Sequence, residues 1–287
     1  MSLSRLVSGV FALSVCLVSS YALAAPIHIV AAENFYADVA KQVGGDHVEV
    51  SSILSNPDDN PHLFEVSPKV ARSISNAKIA IYSGIGYDDW MAKLLAGHDN
   101  LVKIDVASMT GHQDGDNPHI WYDPHTMLLL ALAIKQELSQ LDPAHKAAYQ
   151  HNWQAFVKSI HPIWLRIDTL RQKYAGTEVT ATEPVFGYMF AELGFKVRNL
   201  GFQMAVMNDT DPSASQIKAL HNDLTEHKVA FLLYNDQVTD PMTDQLKALA
   251  EKHKVAIVGA TETMPKGTHY QNWINQELTG VQNVLEK

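Results

Sequence analysis

From Ile27 onward the chain alternates short apolar runs with longer stretches whose apolar residues recur every three or four positions. That alternation predicts βα units built around largely parallel sheets. Strands are expected over residues 27–31, 48–53, 79–83 and 101–105, with helices over 34–43 and 67–76 between them. The second of these helices opens on Ser67-Pro68, a capping residue followed by a proline in the first turn. The pattern changes after Asp142-Pro143, where Tyr149, Trp153, Phe156, Ile160, Trp164, Ile167 and Leu170 repeat at helical spacing, the length of a single long helix. Pro162 lies inside it and predicts a bend near residues 159–162, because a proline removes one helical hydrogen bond. After Gly176 the βα alternation resumes. Strands are expected over 179–182, 197–200, 231–234 and 256–259, and helices over 184–193, 213–226 and 240–252. The resulting fold class is α/β: two parallel-sheet lobes, residues 26–140 and 176–287, joined by one long backbone helix over 141–175.

Residues 1–25 stand apart from this plan. Arg5 is their only charged side chain, an apolar run from Leu6 to Leu17 follows it, and Ala22-Leu23-Ala24 ends the stretch. These are the parts of a secretory signal peptide, and the apolar run is shorter than the roughly 20 residues that span a bilayer. Cys16, the only cysteine, lies within this leader, so the mature chain has no disulfide and its core must be self-sufficient. Val15 is bulkier than lipid attachment at Cys16 would favour, which leaves a free periplasmic protein as the expectation.

Composition narrows the function further. The 287 residues are 46% hydrophobic and 18% charged, as in a folded globular protein, and their length suits two core-forming units or one large domain. A net charge of −9 without any Lys/Arg run gives no footprint for phosphate backbones, so nucleic acid is not expected as a partner. The chain is expected to act as a monomer.

The chain has 14 histidines, and most, such as His47, His98, His145, His151, His161, His221, His227 and His253, have no polar company that singles them out. Two differ. Each stands in an Asn-Pro-His tripeptide: Asn60-Pro61-His62-Leu63-Phe64-Glu65 and Asn117-Pro118-His119-Ile120-Trp121. Proline stiffens the approach to each imidazole, and the aromatic residues that follow can exclude water, as a metal ligand requires.

With these two elements, the long helix after Asp142-Pro143, Asp211-Pro212-Ser213 and the closing Thr261-Glu262-Thr263-Met264, the chain resembles the metal-specific substrate-binding proteins of manganese/zinc ABC importers, which include the adhesin-type lipoproteins. The resemblance spans nearly all of the mature chain. It implies an extracytoplasmic solute-binding protein, not an enzyme, that holds one divalent metal ion as cargo, Zn2+ or Mn2+, at the lobe interface and delivers it to an ABC permease in the inner membrane. It places the ligands at His62, His119, Glu183 in Thr182-Glu183-Pro184-Val185-Phe186-Gly187-Tyr188, and Glu262. The family usually has aspartate at the fourth position, so Asp236 and Asp240 compete with Glu262 for it. It also implies that the long helix limits hinge motion between the lobes.

Two imidazoles and two carboxylates suit manganese through their oxygens and zinc through intrinsic affinity, so the set leaves the metal open. The short loop over 112–116 offers His112, Asp114 and Asp116 as weak cation collectors, although a polar turn has the same composition. The alternative function is an exported zinc-dependent hydrolase with Glu183 as general base. Four protein ligands argue against it, since a catalytic metal keeps a position open, and no His-Glu-x-x-His or Gly-x-Ser-x-Gly motif is present. Nothing in the sequence itself supports an adhesion role.

Overall fold

The computed structural model of the chain describes residues 25–55, 64, 66–237 and 241–287. The leader with Cys16, the first Asn-Pro-His element with His62, and Asp240 therefore lie outside the described residues. Two four-stranded parallel sheets form the frame. The first contains β1 (Ile27–Glu33), β2 (Val48–Leu54), β3 (Ile79–Tyr82) and β4 (Val102–Asp105) in the order β2-β1-β3-β4. The second contains β5 (Glu178–Ala181), β6 (Lys196–Val197), β7 (Phe231–Asn235) and β8 (Ala256–Ala260) in the order β6-β5-β7-β8. Each sheet thus has the same topology, and the strand order reverses between β1 and β3 in the first and between β5 and β7 in the second. Parallel pairing requires crossovers, and these are the helices that cover the sheet faces.

In the first half the helices are α1 (Asn34–Gly44), α2 (Pro68–Asn76), α3 (Asp89–Leu94), α4 (Val106–Thr110) and α5 (Pro124–Leu141). A long helix, α6 (Lys146–Tyr174), leads to the second half, which contains α7 (Gly187–Glu192), α8 (Leu200–Met207), α9 (Ala214–Thr225), α10 (Pro241–Lys252) and α11 (Tyr270–Leu285). The predicted capping at Ser67 is present, its hydroxyl accepting from the Val70 amide at 3.4 Å. Ser213 and Gln216 form a reciprocal capping box at the start of α9. Among the described residues, no helix is long and apolar enough to cross a membrane.

Helix α6 runs its 29 residues without a break through Pro162. Both Pro162 and Lys158, whose carbonyl loses its helical donor, are exposed, so water can take the place of the missing bond. The strand expected over 197–200 is cut short. Asn199 has φ of +59°, a left-handed conformation that ends extended pairing, and Leu200 already begins α8. Helices α3, α4, α5, α8 and α11 are additions to the sequence-based plan. In α5, Leu128 to Ile134 is apolar on every side, which erases the helical period that would have revealed it.

The largest cluster of buried apolar residues runs through both halves of the chain. It joins Phe35 and Tyr36 of α1 to Trp121 and Tyr122, to Phe186 and Phe190, and to Trp273 of α11. Smaller clusters lie under each half. Helix α11 returns to the first half, where the Asp38 carboxylate of α1 accepts from the Tyr270 amide at 2.9 Å and from His269 Nδ1 at 2.7 Å. An acid at a helix N-terminus is favoured by the helix dipole, so Asp38 fixes the chain's last helix against its first.

Candidate metal site

Ligands of open parallel sheets gather beyond the carboxyl ends of the strands, and here both sheets send their residues from those ends to one place. Glu183 follows β5, Asn235 ends β7, Glu262 follows β8, and Tyr87 lies past β3. His119 comes from the loop before the 3-10 turn Ile120–Tyr122. Its side chain is fully buried, and Glu183 and Glu262 are 6% and 3% exposed. His119 Nε2 lies 3.8 Å from Glu262 Oε2. Asn235 Nδ2 donates to Glu262 Oε1 at 2.6 Å and approaches Glu183 Oε1 at 3.5 Å, so one neutral amide spans both carboxylates. Tyr87 donates to Glu262 Oε2 at 3.3 Å. Burial, and next the negative charge of Glu262, push the Tyr87 phenol well above its ordinary range, which keeps it a neutral donor.

The orientation of His119 is set from behind. Its Nδ1 and backbone amide both reach Asn117 Oδ1, at 2.6 and 3.1 Å, which makes Nδ1 the protonated nitrogen and leaves the Nε2 lone pair directed at Glu262. Asn117 is held in turn, since its Nδ2 donates to the Pro184 carbonyl at 2.6 Å and its own carbonyl accepts from Tyr188 at 2.7 Å. This packing needs a glycine at 187, where an added Cβ would come within 2.7 Å of Asn117 Nδ2. Nε2 is buried with no hydrogen-bond partner. A buried acceptor left in that state is costly unless a ligand engages it. The Trp121 ring stands 5.2 Å from His119 and 4.7 Å from Tyr87, forming the dry wall expected of the residues after the histidine.

The Glu262 segment is equally constrained. Gln237 Oε1 accepts from the amides of Glu262 and Thr263, the latter at 2.8 Å, and Tyr122 donates to the Thr261 carbonyl. Asp236 is placed differently. It is exposed and lies over Gly259, where any Cβ would collide with its carboxylate. A cleft of about 580 Å³ lies beside Pro118, lined in part by Asp89, Asp114, Asp116 and Asp209. Four acids beside the histidine loop favour cations there. His112 stands 3.7 Å from Asp116 and 3.4 Å from the Tyr188 hydroxyl.

The structure therefore brings together His119, Glu183 and Glu262. It adds Asn117, Asn235, Tyr87 and Gln237, which sequence reasoning did not assign a role. Asn117 was visible as the first residue of the Asn-Pro-His element, whereas the other three carry no local signal. Replacing Asn117 with alanine is expected to weaken metal binding by roughly 10–100-fold, the usual effect of losing a residue that orients a ligand. Competition with a chromophoric chelator measures this, and an unchanged affinity would contradict the positioning role.

Two four-stranded parallel sheets of the same topology, with buried polar side chains gathered where their carboxyl ends meet, define a two-lobed α/β fold. Residues 29–284 match the model of the periplasmic zinc-uptake complex component A family, and the chain belongs to that family. Its members are solute-binding components of ABC importers and not enzymes, which removes the hydrolase alternative. Among curated relatives, the chain is 25% identical over 284 residues to the metal ABC transporter substrate-binding lipoprotein ScbA of Streptococcus cristatus, covering 91% of this chain and 89% of that one. It is 22% identical over 246 residues to the manganese-binding lipoprotein MntA of Bacillus subtilis, covering 81% and 79%. Among solved structures, the periplasmic zinc-binding protein TroA of Treponema pallidum superposes with a TM-score of 0.77 at 16% identity, covering 91% of this chain and 99% of that one. A manganese-bound mutant of a periplasmic metal-binding protein from Candidatus Liberibacter asiaticus gives 0.73 at 18% identity, covering 90% and 99%. These two share the fold.

Proposed function

We propose that this chain captures one Zn2+ or Mn2+ ion through His62, His119, Glu183 and Glu262 and delivers it to an ABC permease in the inner membrane. The observation that carries the proposal is His119 Nε2, fully buried, fixed in its tautomer by Asn117 and facing Glu262 without a hydrogen-bond partner. Asn235 and Tyr87 donate to the carboxylates without bringing charge. A dication would offset the cost of burying them. Lobes 26–140 and 176–287, linked through 141–175, work as a monomer. The leader over 1–25 exports the chain to the periplasm, and the acidic cleft with the 112–116 loop concentrates cations at the mouth.

The test is a competitive titration of the metal-stripped mature protein with Zn2+ and Mn2+, read by elemental analysis. One tightly held ion per chain is expected, with affinity falling in acid as protons compete for the imidazoles. Absence of a tight ion would overturn the proposal.

A further inference from the structure

Outside the proposed cargo site, Asp123, His125 and Glu192 each place a ligand atom within 4.8 Å of the others. We propose that these three side chains form a second, weaker site for a late divalent transition-metal ion such as Zn2+, bridging the start of α5 and the end of α7. The geometry favours this over a chance surface cluster. The residues come from two elements nearly seventy positions apart, as the numbering from His125 to Glu192 shows. Asp123 caps α5 with Oδ1 alone, accepting from the His125 amide at 2.8 Å, so its second oxygen remains to ligate. The His125 ring packs on Trp164 of α6 with centroids 4.2 Å apart, which limits its rotation.

Arg171 is the competing partner, with Nη2 3.4 Å from Glu192 Oε2 and 3.3 Å from Asp168. Its side chain is 42% exposed, and ion pairs in such positions contribute little. Glu192 also keeps its other oxygen. One imidazole and two carboxylates suit zinc, copper or nickel better than magnesium or calcium, and three protein ligands leave positions for water, so the ion would exchange readily. Asp123 follows the 3-10 turn whose other flank is His119. Occupancy at the second site would therefore brace the loop that carries the cargo ligand.

The experiment uses the full mature chain. Zn2+ is added beyond one equivalent in the presence of a competing chelator, while imidazole resonances are followed by nuclear magnetic resonance. A second, weaker equivalent is expected, and its binding should shift the His125 signals after those of His119 have already moved. His125→Asn and Glu192→Gln should each weaken the second equivalent by roughly tenfold or more, because each removes a ligand. His221→Asn, on the exposed face of α9, should leave it unchanged. No second ion, or a second ion indifferent to His125→Asn, would overturn the proposal. Failure of the first equivalent to bind would instead count against the cargo site, so the two readings fail separately. Should a variant lose its fold by circular dichroism, the wild-type His125 shifts decide the matter.

Discussion

Glu262→Ala is expected to reduce zinc affinity by roughly 10²–10³-fold, and Asp236→Ala to leave it nearly unchanged. Four-ligand zinc sites supply about 10–16 kcal/mol, so one ligand accounts for about 3 kcal/mol, or two decades in affinity. The contrast between the two variants follows from their surroundings. Glu262 is buried, 3.8 Å from His119 Nε2, with its backbone amide fixed by Gln237. Asp236 is exposed, with its carboxylate over Gly259. Isothermal titration of both variants checks the assignment. A large loss in Asp236→Ala with a small one in Glu262→Ala would move the fourth ligand to the β7 end. His119→Ala should match Glu262→Ala, because each removes one donor and leaves the other buried.

Much of this arrangement was legible in the sequence because strands buried within parallel sheets are short and apolar. Residues 79–83 and 231–234 announce β3 and β7 on that ground. The strands then dictate where the site must lie, at their carboxyl ends, and Glu183 and Glu262 fall there. What escaped was of two kinds. In α5 the apolar run at 128–134 covers every face of the helix, so period could not distinguish it from a buried strand. In α11 the period is present in Tyr270, Trp273, Ile274, Leu278 and Val281, yet nothing local shows that the helix returns to α1, since Asp38 meets Tyr270 only in three dimensions. Tyr87, Asn235 and Gln237 share that condition. Their functions consist of long-range hydrogen bonds, and a tyrosine or an amide before folding carries no mark of its partner.

Glu33→Gln is expected to stabilise the protein increasingly as pH rises, while leaving metal affinity within a few-fold. Glu33 ends β1 fully buried, beside Asp88. Burial first, and the Asp88 charge second, hold its carboxyl well above the ordinary 4.5, so the folded chain retains a proton there. Asp88 is anchored by the amides of Ser83 and Gly84, at 2.7 and 2.8 Å, yet burial still lifts it from 3.8 to about 6. The sign follows from linkage. A carboxyl whose folded value is raised stabilises the protein fully below the unfolded value and loses that contribution as pH climbs through the folded one. Asp88 acts in the same direction, its contribution being lost as pH climbs from 3.8 through about 6. Glu33 adds a further loss of about 1.4 kcal/mol for every unit above 4.5 over which it keeps its proton. Glutamine has the same shape, needs no proton, and its amide can donate permanently to Asp88. The gap in unfolding free energy between Glu33→Gln and wild type, measured by urea denaturation from pH 5 to 8, should therefore widen with that slope. A gap independent of pH would mean that Glu33 is already ionised in the folded chain, and the buried pair would then need a cation beside it.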